Sequence, residues 1–365
     1  MKSFVALIKP ASSLCNMCCN YCFYHDVADN RNVPSYGFMV QETSQCLIDK
    51  IINSVSRSAT VTFAFQGGEP TLAGLPFFKH FVYYAKIKNG GKCSINFSIQ
   101  TNGILLDDNW CSFLSEHNFL VGISVDSGPD FHDRNRIDKN GKGTWSIVNS
   151  NIRLLDKYKV DYNILTVITK DLARHPKAVF NRFLRDKRRY LQFIPCLKPL
   201  GACENQPHDI TPRLYAQFLK SIFRLWAERL TTDDPVSIRQ FDNLLMVTKG
   251  YASEQCGLSG SCIPQFVVEA DGSVFPCDFY VLDNYICGNI HNNSIDEIRR
   301  SEGVKKFLAD AIPMAAECRD CPVIEYCKGG CNRYRLFYRE EEGYCPNRDF
   351  LTEAVPVLKR LAALL

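Results

Sequence analysis

Cys15, Cys19 and Cys22 stand at x3 and x2 spacing, just behind the apolar run Phe4–Ile8. Three thiolates this close cannot pair off in disulfides, but they can converge on one metal centre. A 4Fe-4S cluster normally takes four cysteines, so three leave one iron open to a small molecule. Zinc is the alternative. It prefers a fourth Cys or His at ligand spacing, and His25 is the residue to weigh. Cys18 breaks the spacing and reads as a bystander.

A second motif follows the apolar run Val61–Phe65. In Gln66-Gly67-Gly68-Glu69-Pro70 two glycines permit close backbone approach, and the Glu69 carboxylate can receive an ammonium group. Alone, these residues make an ordinary turn. The last third holds Cys256, then Cys262-x9-Gly272-x4-Cys277, then Cys318-x2-Cys321-x5-Cys327-x3-Cys331, then Cys345. Eight thiols complete two 4Fe-4S clusters or two zinc sites of four thiolates each. Cys18, Cys46, Cys93, Cys111, Cys196, Cys203 and Cys287 remain. Most fall in helix or strand patterns and read as small buried hydrophobes, with a Cys196–Cys203 redox pair as the minor alternative.

The elements that must position these residues alternate. Strand patterns cover Phe4–Ile8, Val61–Phe65, Ile95–Gln100, Leu120–Val125, Tyr162–Ile168 and Tyr190–Ile194. Helix patterns lie between them: Glu42–Val55, Pro76–Ile87, Asp107–His117, Thr144–Tyr158 and His175–Asp186. In the first, Leu47, Ile48, Ile51, Ile52 and Val55 share a face. Such alternation means parallel strands with helices outside, and six units suit a partial barrel rather than a closed one of eight. Both motifs then fall at carboxyl ends of strands, where parallel barrels build active sites. A long helix over Thr211–Leu230 is marked by Thr211 as N-cap and Pro212 at the first helical position. The stretch Thr231–Pro235 reads as a linker, which puts a boundary near residue 233: 1–233 a barrel, 234–349 a cysteine-rich domain, 350–365 a final helix.

The chain has 365 residues, 46% hydrophobic and 22% charged, which is globular composition with room for a real core. The net charge of +4, from 43 basic and 39 acidic residues, gives no case for nucleic-acid binding. The first apolar run is too short for a secretory signal, and no stretch approaches a membrane span of ~18 apolar residues. A cytoplasmic location is the expectation. In that reducing compartment 18 cysteines mean metal ligands or packing rather than disulfides.

The three-cysteine loop with Tyr21 and Phe23 beside its last cysteine, and the Gly-Gly-Glu-Pro turn, resemble radical S-adenosylmethionine (SAM) enzymes. The later cysteine order resembles the SPASM extension of those that modify peptides and proteins. The likeness narrows further to anaerobic sulfatase-maturating enzymes. It rests on Leu7-Ile8-Lys9-Pro10-Ala11-Ser12-Ser13, Tyr21-Cys22-Phe23-Tyr24-His25, the stretch from Phe63 to Gly74, and Gln100-Thr101-Asn102-Gly103. Gln265-Phe266-Val267-Val268-Glu269 and the stretch from Pro276 to Asp283 add to it, so that nearly the whole chain is covered.

The resemblance implies an α/β fold, a partial (β/α)6 barrel with a C-terminal SPASM domain. It implies three 4Fe-4S clusters and SAM, and oxidation of a sulfatase Cys or Ser to Cα-formylglycine without oxygen. One cluster falls to Cys15, Cys19 and Cys22, one to Cys256, Cys262, Cys277 and Cys331, and one to Cys318, Cys321, Cys327 and Cys345. Asp278 matches the base that removes the substrate's side-chain proton; the alternative is an aspartate that caps backbone donors. Glu69, with Gly67 and Gly68, matches the element that holds the methionine amino group. Tyr24, Gln66, Ser124, Arg136 and Leu197 match positions around SAM or the reacting centre, although Gln66 also suits a core amide and Arg136 a surface ion pair. The implied partners are an unfolded sulfatase or peptide and a reductant such as a flavodoxin or ferredoxin, and the implied state is a monomer. One departure stands out: the family's Asp-Gly-Pro after the fourth strand reads Asp126-Ser127-Gly128-Pro129.

Two rivals remain. A SPASM enzyme that crosslinks or epimerises a ribosomal peptide shares every cluster. It usually carries an added N-terminal docking domain, for which a first motif at Cys15 leaves no room. A zinc-organised binding module explains the late cysteines but not the first loop.

Overall fold

The structure is a computed structural model that describes residues 1–201 and 206–364; Cys203, and with it the Cys196–Cys203 pair, lies outside them. The described strands are β1 (Ser3–Ile8), β2 (Thr60–Phe65), β3 (Ser94–Thr101), β4 (Leu120–Ser124), β5 (Tyr162–Ile168), β6 (Tyr190–Pro195), β7 (Ser237–Ile238), β8 (Val267–Val268), β9 (Ser273–Phe275) and β10 (Gly288–Asn289). The first six are the expected strands, each within a residue or so of its expected ends.

The chain forms two compact units. The first comprises Met1–Ser124, Asp133–Tyr162 and Pro264–Asp310, the second Val125–His132, Asn163–Ile263 and Ala311–Leu365. In the first, β1 to β4 pair in parallel and in chain order, from Ser3↔Thr60 through Thr101↔Ile123. On its other edge β1 takes β8 in parallel, Leu7 opposite Val267, and β9 and β10 continue antiparallel. Sequence patterns missed β8 to β10 because two- and three-residue strands carry no readable period. Their effect is large: the stretch holding Cys277 and Asp278 hangs from the edge of the first strand.

Helices cross between these strands, and the apolar periodicity shows why. Helix Gln41–Ser54 buries Leu47, Ile48, Ile51 and Ile52, each at most 2% exposed, at about 1.5–3 kcal/mol per side chain. Asp107 caps helix Asp108–Glu116 by accepting from the Trp110 N–H at 2.8 Å. Phe63, Phe65, Phe78, Phe81, Phe97 and Phe119 fill the core with edge-on and stacked rings.

In the second unit β5, β6 and β7 pair in parallel. Helix Pro212–Leu230 starts as its sequence foretells, with Thr211 Oγ1 accepting from the Leu214 N–H at 3.3 Å. Phe223 packs against Trp226, Phe241 and Phe350, at ring distances of 5.2–5.6 Å. The exposed linker around residue 233 thus joins helices of one unit. Helices Pro212–Leu230, Arg239–Thr248 and Pro346–Leu364 build the core of that unit together from both sides of the linker.

Candidate active site

The loop leaving β1 carries Cys15, Cys19 and Cys22, and hydrogen bonds pin it on three sides. Cys18 N–H donates to Ile137 and Asn20 N–H to Asn135. On another side the Gly-Gly turn docks: Gly68 N–H donates to Ser12 and Glu69 N–H to Leu14. A Cβ on Gly68 would meet the Leu14 oxygen at 2.2 Å, and one on Gly67 the Ser12 oxygen at 2.7 Å. The close approach that the glycines permit is therefore to the cysteine loop's own backbone. On the third side Asn102, at the end of β3, donates from Nδ2 to Asn16 Oδ1 at 2.8 Å and faces Cys15 Sγ at 3.7 Å.

Glu69 behaves differently from its sequence expectation. It is 1% exposed. Oε1 accepts from Thr71 N–H, Thr71 Oγ1 and Thr101 Oγ1, and Oε2 accepts from Asn102 N–H at 2.7 Å. Burial pushes its carboxyl up, against the pull of those donors. Rather than waiting for an ammonium group, the carboxylate knots the Gly-Gly turn to the end of β3. Sequence alone could not show this, since the donors come from Thr101 and Asn102, over thirty residues away.

Asp278 is placed by the short helical turn after β9. Its Oδ2 accepts from Tyr24 Oη at 2.7 Å, and its Oδ1 faces Lys9 Nζ at 3.1 Å. Both partners flank the cysteine loop. Lys9 is 3% exposed and also lies over the Tyr24 ring, 4.7 Å from its centroid. Burial first, and the Asp278 charge second, hold the Tyr24 phenol well above its ordinary range, so at neutral pH it remains a donor. The carboxylate is thus held by side chains, not spent on capping backbone. Phe23 closes the turn against Phe279, ring to ring at 5.0 Å.

The other expected residues fall as follows. Ser124, at the end of β4, accepts from Gln100 Nε2 at 3.2 Å. Gln100 can lie there because Gly122 has no side chain. Arg136 is buried, its guanidinium 5.5 Å from the Tyr21 ring, which removes the surface-ion-pair reading. Gln66 is half-buried where β2 ends. Leu197 belongs to the second unit, just past β6. Ser127 takes φ 62°, a left-handed backbone that disfavours a side chain. His25 is exposed and bonds Asp29, away from any ligand role. Lys9, Gln100 and Asn102 stood in the motifs that carry the resemblance, but sequence reasoning gave none of them a role.

The thiols are all unbridged in the described chain. Burial pushes Cys15 up to about 11, with Cys22 adding to it. In the second unit Cys318, Cys321 and Cys345 each oppose ionisation of Cys327, and Cys256 and Cys262 do the same to Cys331. Cys277 belongs to the first unit. A single zinc ion with ~2.3 Å bonds would draw its sulfurs to roughly 3.8 Å. Among the described residues, ligand atoms within 4.8 Å of one another occur in the set Cys196, His208 and Asp209, and none of the eleven expected ligands is in it. Within each set the thiols act on one another's charge, which fits ligands that converge on a shared group. Of the spare cysteines Cys93, Cys111, Cys196 and Cys287 are buried, Cys46 is half-buried and Cys18 is exposed. No helix among the described residues is long and apolar enough to cross a membrane.

Comparison with known proteins agrees with this geometry. Residues 10–181 match the radical SAM superfamily, and residues 262–322 match the SPASM iron–sulfur cluster-binding domain. A cysteine-type anaerobic sulfatase-maturating enzyme of Clostridium perfringens is 44% identical over 98% of this chain and 97% of its own. That of Clostridium novyi is 41% identical over 91% and 89%. The solved structure of native anSMEcpe with bound AdoMet and Kp18Cys peptide superposes with TM-score 0.91, at 39% identity, over all of both chains. The fold is accordingly the α/β partial barrel of radical SAM enzymes with a SPASM extension.

Proposed function

The chain belongs to the anaerobic sulfatase-maturating enzymes of the radical SAM superfamily, and from that premise we propose that it oxidises a cysteine or serine of an unfolded sulfatase segment to Cα-formylglycine. The observation that carries this reading is Asp278, held by Tyr24 and Lys9 beside the three-cysteine loop.

Cys15, Cys19 and Cys22 would hold one 4Fe-4S cluster, with SAM on its open iron. When bound, cluster and SAM supply a carbon radical able to take a hydrogen atom from the substrate Cβ. The rest falls to the chain. Tyr24, Gln66, Ser124, Arg136 and Leu197 would line the nucleoside and reacting groups. Gly67 and Gly68 would help through backbone, since the Glu69 carboxylate is already taken. Asp278 would accept the thiol or hydroxyl proton, while Tyr24 and Lys9 keep its two oxygens aimed. The side chain loses a hydrogen atom, a proton and an electron in all. Serine gives the aldehyde directly; cysteine gives a thioaldehyde that water converts. Cys256, Cys262, Cys277 and Cys331, and Cys318, Cys321, Cys327 and Cys345, would hold two further clusters of the kind that accepts such an electron.

By position in the chain, 1–233 carries the ligands of the first cluster, 234–349 those of the auxiliary clusters together with Asp278, and 350–365 is a packing helix, although the compact units do not divide at residue 233. A cytoplasmic monomer reduced by a flavodoxin or ferredoxin completes the reading. The test is the anaerobically reconstituted enzyme on paired Cys and Ser peptides, with product mass and carbonyl trapping as readout. A trappable aldehyde, faster from cysteine, is expected. A thioether crosslink without aldehyde would give the site to the peptide-crosslinking chemistry instead.

A further inference from the structure

We propose that Cys196, His208 and Asp209 form a binding site for one zinc-type divalent cation, separate from the iron–sulfur ligands. A thiol sulfur, an imidazole nitrogen and a carboxylate oxygen lie here within 4.8 Å of one another. All three residues belong to the second unit. Cys196 directly follows β6, and its N–H donates to the Ile168 carbonyl at 3.2 Å. His208 and Asp209 stand just ahead of helix Pro212–Leu230. Their backbone is fixed: the His208 carbonyl accepts from Lys170 N–H at 3.0 Å, and Asp209 N–H donates to Gln206 at 3.1 Å.

A second observation points to a ligand. Asp209 is 7% exposed. Its Oδ2 accepts from the Gln206 N–H at 2.7 Å, but its buried Oδ1 has no hydrogen-bond partner among the described residues. His208 Nε2 lies 4.0 Å from that oxygen, beyond hydrogen-bond reach. Buried carboxylate oxygens are rarely left this way, because the lost hydration is not repaid. Cys196 is 5% exposed, and besides burial the charges of Asp209 and Asp126 oppose its ionisation. A dication reverses that balance, since it binds thiolate and carboxylate together.

The donor set names the ion class. Thiolate with imidazole and carboxylate suits zinc, whereas magnesium and calcium want oxygen throughout. Zinc bonds of ~2.0–2.3 Å would draw the three donors to roughly 3.3–3.8 Å, a side-chain adjustment without backbone movement. Three protein ligands leave one position for water. Such an ion would tie the end of β6 to the start of helix Pro212–Leu230.

The experiment uses the full-length protein, reconstituted anaerobically with iron and sulfide, supplied with equimolar zinc and dialysed against a chelator. Metal analysis should find about one zinc per chain. The zinc-edge X-ray absorption should show one sulfur at ~2.3 Å and the rest nitrogen or oxygen at ~2.0–2.2 Å. Cys196→Ser and Asp209→Asn should each weaken zinc retention at least tenfold while iron content stays unchanged. His208→Ala, at the least buried ligand, serves as the variant that folds if the others do not. Absence of zinc in the wild-type protein, an all-sulfur shell, or full retention in any folded variant would overturn the assignment.

Discussion

Asp278 contacts a phenol that stays protonated at 2.7 Å and an ammonium group that water hardly reaches at 3.1 Å. Each contact makes a separate demand. If Asp278 takes the substrate proton, Asp278→Asn keeps the shape and removes the base. Aldehyde formation should then fall roughly 10²-fold or more, while reductive SAM cleavage persists. Measuring 5′-deoxyadenosine and aldehyde in one reaction checks this, and full aldehyde yield would make Asp278 structural. Lys9 acts through Asp278. Lys9→Met removes the cation that holds Oδ1, so aldehyde formation should fall while SAM cleavage persists, and Lys9→Arg should restore part of the loss. The Met variant should also lose some stability, since Asp278 then keeps only the Tyr24 hydrogen bond. Aldehyde formation at the wild-type rate in Lys9→Met would mean that Lys9 only packs against Tyr24.

The loops, not the strands, hold the unusual geometry. The Gly-Gly turn reaches so near the cysteine loop that a Cβ on Gly68 would sit 2.2 Å from the Leu14 oxygen. Gly68 carries no positive φ, so the obstacle to Gly68→Ala is steric, against the Leu14 oxygen and the Ser13 carbonyl group at 2.5 and 2.6 Å. The two loops must part, and the thiols of Cys15 to Cys22 lose their support. The variant should lose about four of its irons, one cluster's worth, together with SAM cleavage. Iron titration with the cleavage assay decides it; normal loading would show the contact to be soft. The same elements explain what was legible beforehand. Strands β1 to β6 and their helices announced themselves because each repeats a period over five residues or more, and some helices start at a cap such as Asp107 or Thr211. The cysteine sets showed through spacing alone. The knot at Glu69 and the Lys9–Asp278 pair did not, because their partners are distant in sequence and meet only once β1, β2, β3 and β8 pair. The core that spans residue 233 was hidden for the same reason: Phe223, Phe241 and Phe350 belong to three helices with no shared local signal.

At the scale of the whole molecule, eleven thiols in three sets make the iron count a sharp measurement. Three 4Fe-4S clusters amount to about twelve irons per chain at full loading. Replacing Cys15, Cys19 and Cys22 together, or Cys318, Cys321, Cys327 and Cys345 together, should leave about eight in either case. The activities should separate where the counts do not. The first variant loses the open iron and with it all SAM cleavage. The second keeps the first loop, its docked Gly-Gly turn and Asp278, all of which belong to the other compact unit. It should still cleave SAM yet yield little aldehyde, because the substrate electron has nowhere to go. Burial already sets Cys15 and Cys327 apart from ordinary surface thiols, each pushed up to about 11, so these two do not ionise readily until metal binds. Cluster assembly should therefore release protons, and loading should weaken as pH falls. If both variants lost SAM cleavage equally, the later thiols would be supporting the first loop rather than carrying electrons, and the division of labour proposed for the chain would fail.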